Sequence, residues 1–298
     1  MSLSEQVILI TGASVGIGAE LATLLAKQFV GIRLVLAARN VEKLETIATL
    51  CQKAGAEVLT IPTDMAQIDQ VQALANSALE RFGRVDALVN NAGYGQMGPV
   101  ELLPPDACKR QYEVNVLGPL ALIQALIPAM RQQGGGRIIN ISSIGGRIPF
   151  PFGGVYSSSK FALEALSDAL RMELEPFDIQ ISVVEPGPVN TEFFDVVKQE
   201  IGQTIADPLN TPYRAAFKNV ERLEQQTNSR AWTAERVAEV IVKALRDRRP
   251  RPRYLAATNG KLLVFLMTKL LPTRIVDRFW QRFYGINLVA QDWKSRGQ

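Results

Sequence analysis

Short aliphatic runs alternate with longer stretches of helical periodicity along most of this chain, and that rhythm is the tightest constraint on its fold. The runs fall at Val7–Ile10, Leu34–Ala37, Val58–Ile61, Ala87–Asn90, Arg137–Ile141 and Ile179–Val184, with a weaker one at Arg253–Ala256. Helical patterns fit between them at 16–28, 41–54, 67–82, 106–132, 155–175 and 233–247. Strands that are apolar throughout need both faces covered, and strands joined through helices run parallel. The expected architecture is α/β, a doubly wound parallel β-sheet.

The chain has 298 residues, 47% of them apolar and 21% charged, which suits one such domain with appendages. Residues 1–258 are expected to form this Rossmann-type domain. Its regular rhythm lapses between about 190 and 230, where Asp207-Pro208 and Thr211-Pro212 punctuate the chain, as in a substrate loop or lid. Residues 259–298 read as a basic, amphipathic helical extension.

There is no histidine. That excludes a Ser-His-Asp triad, a Cys-His dyad and a histidine zinc site, and acid–base work falls to Tyr, Lys, Asp, Glu or Cys. Cys51 and Cys108 show neither a disulfide framework nor metal-ligand spacing, so no metal is expected. Residues 1–230 carry 19 Lys/Arg against 24 Asp/Glu, net −5, while residues 231–298 carry 14 against 5, net +9. All the excess positive charge lies in the tail. The opening residues lack a basic leader, and the longest apolar run, Leu262 to Met267, is far short of the ~20 residues of a spanning helix. The expected location is cytoplasmic.

After the first strand comes Thr11-Gly12-Ala13-Ser14-Val15-Gly16-Ile17-Gly18, then an amphipathic helix. Such glycines permit a tight turn and close backbone approach, and the helix N-terminus suits a pyrophosphate. This is the Rossmann-type arrangement. At the end of the second strand, where a carboxylate would accept from a ribose 2′-hydroxyl, the chain reads Ala38-Arg39. Arg39 can pair a 2′-phosphate through two N–H groups, which favours NADP(H) over NAD(H). Tyr156 and Lys160 lie four apart in a helical pattern and so share one face. An ammonium beside a phenol is expected to lower the tyrosine pKa and create a proton shuttle. Ser143, at the end of the preceding strand, could hold a substrate oxygen.

These residues together resemble the short-chain dehydrogenase/reductase family. The resemblance covers about residues 5 to 192 through Thr11-Gly12-x-x-x-Gly16-x-Gly18, Asn90-Asn91-Ala92-Gly93, Asn115, Ser143, Tyr156-x-x-x-Lys160 and Pro186-Gly187-Pro188-Val189. It implies that Tyr156 is the acid/base and that Lys160 tunes it and holds the nicotinamide ribose. It also implies that Ser143 orients the reacting oxygen and that Asn115 supports a water-linked proton relay. Ser142 competes for the serine role, although the spacing of 13 positions to Tyr156 prefers Ser143. For the cofactor the resemblance implies Gly12, Ser14, Gly16, Ile17 and Gly18, with the glycine turn at the pyrophosphate and Ser14 beside Arg39 at a 2′-phosphate. Asp64 is implied at the adenine amino group and Asn90 beside the adenine ribose, followed by Ala92 and Gly93. Pro186, Gly187, Val189 and Thr191 are implied around the carboxamide. Val15 departs from NADP-preferring relatives, many of which carry Arg or Lys there.

Tyr94, Phe150, Phe152, Phe193 and Phe194, with Ile148 and Met97, supply apolar walls for a bulky lipophilic alcohol or ketone. The stretch from Gly145 to Glu164 is similar to hydroxysteroid and retinol dehydrogenase branches, which makes a steroid, retinoid or long-chain carbonyl the leading expectation. Alternatives are a 3-oxoacyl-thioester (acyl-carrier-protein) reductase, against which the extended tail counts, and a non-catalytic NADP sensor or scaffold, against which the intact proton shuttle counts. Helices 106–132 and 155–175 are the family's usual pairing surfaces, so a homodimer or homotetramer is expected. In the tail, Ile275, Phe279 and Phe283 recur at helical spacing beside Arg274, Arg278 and Arg282. This helix either packs across the substrate cleft or a neighbouring subunit, or rests on an anionic membrane surface. Nucleic-acid binding is not expected, because no recognition motif accompanies the basic tail.

Overall fold

In the computed structural model, which describes residues 2–219 and 231–296, the chain builds one central seven-stranded parallel sheet. Its strands are β1 (Val7–Thr11), β2 (Arg33–Ala38), β3 (Glu57–Pro62), β4 (Ala87–Asn90), β5 (Gly136–Ile141), β6 (Ile179–Pro186) and β9 (Arg253–Ala256). Their order is β3-β2-β1-β4-β5-β6-β9. Strands β7 (Val189–Asn190) and β8 (Trp232–Thr233) form a separate parallel pair.

The helices are α1 (Gly16–Gln28), α2 (Val41–Lys53), α3 (Ile68–Phe82), α4 (Pro105–Tyr112), α5 (Gly118–Gln132), α6 (Gly154–Leu174), α7 (Phe193–Thr204) and α8 (Ala234–Arg246). The tail adds α9 (Gly260–Phe265), α10 (Thr273–Phe283) and α11 (Val289–Ser295). Because side chains alternate along a strand, β1 feeds two cores. Ile8 and Ile10 join Leu21, Leu25, Leu44 and Ile241 on one face, while Val7 and Leu9 join Leu74, Leu122 and Leu126 on the other. Each such fully buried side chain contributes roughly 1.5–3 kcal/mol. Burial on both faces is why these strands read as continuous apolar runs.

The chain winds outward from β1 to β3, then crosses back to β4 and winds the other way. The turns after β1 and β4 therefore diverge, opening a crevice at the carboxyl ends of the strands.

Three segments differ from the sequence pattern. The helix expected over 106–132 contains a π turn at Glu113–Leu117, where the Gly118 N–H bonds the Glu113 carbonyl. Pro119 has no N–H, so the ordinary bond to the Asn115 carbonyl cannot form. The stretch Pro105–Gln132 is long and apolar enough to cross a membrane, but half of it is buried, and Leu122, Leu126 and Met130 belong to the core. The expected lid opens with a regular helix, α7, whose Ile201 packs with Ile205, Leu103 and Val155; residues 220–230 of that lid lie outside the described residues. The helical extension expected for the tail is divided into α9, α10 and α11. Leu271 is extended before Pro272, as a residue preceding proline prefers, and a new helix starts beyond it.

Candidate active site

The turn after β1 is built for close backbone approach. Gly12 and Gly16 have φ of +66° and +58°, in the left-handed region that favours glycine. A side chain on Gly18 would collide with the Gly12 carbonyl. No side chain caps α1, leaving its first-turn N–H groups free for an anion. Asn91 staples this turn to the one after β4, donating from Nδ2 to the carbonyls of Thr11 at 2.9 Å and Gly12 at 3.1 Å. The Thr11 hydroxyl accepts in return from the N–H groups of Asn91 and Ala92, both at 3.0 Å.

A cleft of about 630 Å³ opens over this staple. Gly12, Ser14, Gly16 and Ile17 line it from the first turn, and Arg39 and Asp64 from the ends of β2 and β3. Ala92, Gly93 and Tyr94 line it from the turn after β4, with Thr191 and Phe193 from the segment after β7. Thr191 comes within about 3.3 Å of the place a side chain on Gly16 would take, so the two segments meet closely. The Asp64 carboxylate accepts from the Ala66 N–H at 3.0 Å and lies 3.4 Å from Arg110.

Other residues of the sequence pattern stand behind the walls. Asn90 is buried and donates to Asn140 at 2.9 Å, so its side chain turns inward, away from the cleft. Pro186 ends β6, the Gly187 N–H bonds the Ala256 carbonyl at 3.1 Å, and Val189 pairs with Trp232.

Tyr156 and Lys160 sit one turn apart on α6, 7% and 5% exposed. Ser143 faces Tyr156, while its Oγ accepts from the Gly145 N–H at 3.0 Å. A side chain on Gly145 would touch Tyr156, Phe150 and Ser143 together, which is how the serine comes so near the phenol. Ser142 instead turns into the interior, with its hydroxyl buried. Across the site, a side chain on Gly93 would stand 3.2 Å from Asn115 Oδ1 and 3.4 Å from Lys160 Nζ. Asn115 is fixed by accepting from the Tyr94 N–H at 3.2 Å and donating to the Tyr94 carbonyl at 3.0 Å and Ser159 at 3.2 Å. Ser143, Tyr156, Lys160 and Asn115 are thus brought together from β5, α6 and the π turn.

The electrostatics correct one expectation. Burial pushes the Tyr156 phenol up, and the facing Ser143 hydroxyl only partly opposes it. Lys160 lies 6.0 Å from the Tyr156 ring centroid and directs its ammonium to the Ile141 carbonyl at 2.9 Å. Burial also lowers Lys160 to about 8, against the pull of Glu164. Tyr156 therefore holds its proton at neutral pH, as the acid of a proton transfer must.

The aromatic residues divide into two groups. Phe193 lies 5.8 Å from Tyr156, centroid to centroid, with Phe194 edge-on behind it. Tyr94 is pushed up to about 12, first by burial and then by Glu200. Phe150 stacks on Tyr284 at 5.8 Å, and Phe152 meets Phe217 at 5.1 Å and Tyr284 at 6.3 Å. The tail packs one of its faces over this aromatic side of the site, with Trp280 and Tyr284 against Phe150. The sequence pattern does not point to Tyr284 or to the Lys43–Glu192 ion pair, 2.9 Å long at the cleft, and it places Asn91 only within the motif after β4, without a role. The stapling role of Asn91 shows only in the structure, because its partners Thr11 and Gly12 lie 80 and 79 residues earlier in the chain. Among the described residues no acidic or cysteine cluster is arranged for a metal.

A family model described as short chain dehydrogenase matches residues 6–202. Over 274 residues the chain is 35% identical to 17-beta-hydroxysteroid dehydrogenase type 1 of Homo sapiens, covering 90% of this chain and 82% of that one. A short chain dehydrogenase/reductase from Burkholderia phymatum, solved in complex with NAD, is 30% identical with a TM-score of 0.78, covering 90% of this chain and 94% of its own. A metagenomic short-chain oxidoreductase in complex with NADP is 32% identical with a TM-score of 0.68, covering 87% and 100%.

Proposed function

Because the chain belongs to the short-chain dehydrogenase/reductase family, we propose that it is an NADP(H)-dependent oxidoreductase interconverting a lipophilic carbonyl and its alcohol, of steroid, retinoid or long-chain type. One observation carries this reading: the buried Tyr156, faced by Ser143 and followed one turn later by Lys160, beside a cleft with a dinucleotide-sized glycine cradle. The uncapped N-terminus of α1 fits a pyrophosphate, and Arg39 at the end of β2, with no carboxylate at Ala38, fits a 2′-phosphate.

A nicotinamide dinucleotide held in that cleft supplies or accepts the hydride equivalent. Ser143 donates a hydrogen bond to the substrate oxygen and fixes it against the phenol. Tyr156 gives its phenolic proton to a carbonyl oxygen in reduction and takes the hydroxyl proton in oxidation. Lys160 places positive charge beside the phenol and the nicotinamide ribose, and Asn115 anchors the relay that returns a proton from solvent. Phe193 and the cluster of Phe150, Phe152 and Tyr284 exclude water and favour an apolar substrate body. The exposed Leu117, Phe161 and Met172, at the start of α5 and on α6, support a homo-oligomer paired through these helices.

The test follows NADPH absorbance with a panel of steroids, retinal, long-chain aldehydes and acyl thioesters. Turnover of a lipophilic carbonyl, abolished in Tyr156→Phe with NADPH binding retained, is the expected result. Turnover of thioesters alone replaces the substrate class, and no turnover by the unaltered protein across the panel overturns the reading.

A further inference from the structure

Helix α10 carries three faces. Val276, Trp280 and Tyr284 are partly covered, with Trp280 and Tyr284 against Phe150. Ile275, Phe279 and Phe283, spaced four apart, are 48%, 43% and 38% exposed. Arg274, Arg278 and Arg282, also spaced four apart, form the exposed stripe on the other side of those three. The apolar stripe therefore lies between the arginines and the face that covers the substrate side.

The exposure extends beyond this helix. Leu262, Phe265 and Leu270, in α9 and the turn after it, are more than half exposed, and Lys261 and Lys269 are exposed among them. Large apolar side chains flanked by cations are costly to leave in water and complement one kind of surface well: acyl chains beneath anionic headgroups. The charge is concentrated to match: residues 259–298, which carry this surface, hold 7 Lys/Arg against 2 Asp/Glu, net +5, while residues 1–230 are at net −5. Each cation near an anionic leaflet adds to the attraction, which salt screens.

We propose that the stripe of Ile275, Phe279 and Phe283, with Leu262, Phe265 and Leu270, docks on an anionic lipid surface. The arginines face the headgroups, and the aromatic side of the cleft is set at the bilayer. The proposal stands on exposure and charge, independently of which substrate the cleft takes.

The test is flotation of the full-length protein with vesicles of phosphatidylcholine alone or mixed with phosphatidylglycerol. Binding to the mixed vesicles only, reduced by raised salt, is expected. A variant with Ile275→Ser, Phe279→Ser and Phe283→Ser, its fold verified by circular dichroism and NADPH binding, should lose about tenfold in partitioning. Arg278→Glu with Arg282→Glu should lose binding while leaving the apolar stripe in place. No flotation with anionic vesicles, or flotation unchanged in both variants, overturns the proposal. So does sedimentation showing that the serine variant converts a larger assembly to a smaller one, because a second copy of the chain then covers the stripe.

Discussion

Lys160 on α6 donates its ammonium to the carbonyl of Ile141, the last residue of β5, at 2.9 Å. The bond ties α6 to the sheet and holds the charge in a buried site, and that burial lowers Lys160 from its ordinary 10.5 to about 8. A lysine with a depressed folded pKa weakens the fold wherever the ammonium is forced on it. That penalty is full below about pH 8 and disappears as pH rises from 8 to 10.5. Lys160→Met should therefore gain on the wild type by ~3 kcal/mol more at pH 7 than at pH 10.5. The comparison across pH cancels the constant cost of leaving the Ile141 carbonyl without its donor. Denaturant unfolding at the two pH values measures it, and a difference that does not change with pH refutes it.

Glu164, one turn beyond Lys160, is the carboxylate that holds the lysine charge up against burial. Its own carboxyl is kept in place by Arg253 at 3.0 Å. Replacing it by glutamine removes the pull that favours the ammonium, so Lys160 falls further. In carbonyl reduction the alkaline loss of kcat/KM, expected near pH 8 in the wild type, should move to lower pH in Glu164→Gln. If the pH profile keeps its place while only the maximal rate falls, Glu164 is structural.

Arg39 lines the cleft at the end of β2, beside Ala38. Arg39→Asp exchanges the proposed partner of a 2′-phosphate for a group that repels it and can accept from a 2′-hydroxyl. The ratio of kcat/KM for NADPH over NADH should fall by about tenfold or more, on the scale of one charge-assisted contact. An unchanged ratio would assign 2′-phosphate recognition elsewhere, with Lys43 the next cation in the same cleft.

Much of the fold was legible because its determinants are local. Buried parallel strands show as unbroken apolar runs, and the runs at Val7–Ile10 and Ile179–Val184 extend in the structure only to Thr11 and Pro186. The glycine turn was legible because left-handed backbone demands glycine at 12 and 16. The π turn was not, because helical periodicity survives one inserted residue; the mark was Pro119, four after Asn115. Helix α7 was missed because its apolar positions meet residues as distant as Leu103. The pKa order of Tyr156 was misjudged because spacing shows a neighbour's charge but not the depth of burial. The partners of Phe150 were hidden for a related reason: Trp280 and Tyr284 arrive from about 130 residues along the chain.

Phe152 carries the last prediction, which rests on backbone alone. Its φ of +63° lies in the left-handed region, where a bulky side chain is strained, and Pro151 and Gly153 flank it. The ring is held there by Tyr213, Phe217 and Tyr284, while the Phe152 carbonyl accepts from the Gly98 N–H at 2.7 Å. Phe152→Ala and Phe152→Gly both lose the ring and leave nearly the same cavity. Only glycine also removes the strain, although it adds freedom to the unfolded chain. If strain outweighs that freedom, as the left-handed φ requires, the glycine variant should be the more stable of the two by about 1 kcal/mol. Urea unfolding of both variants decides the sign: an alanine variant equal to or more stable than glycine would mean that the aromatic contacts impose this conformation and that it relaxes once they are gone.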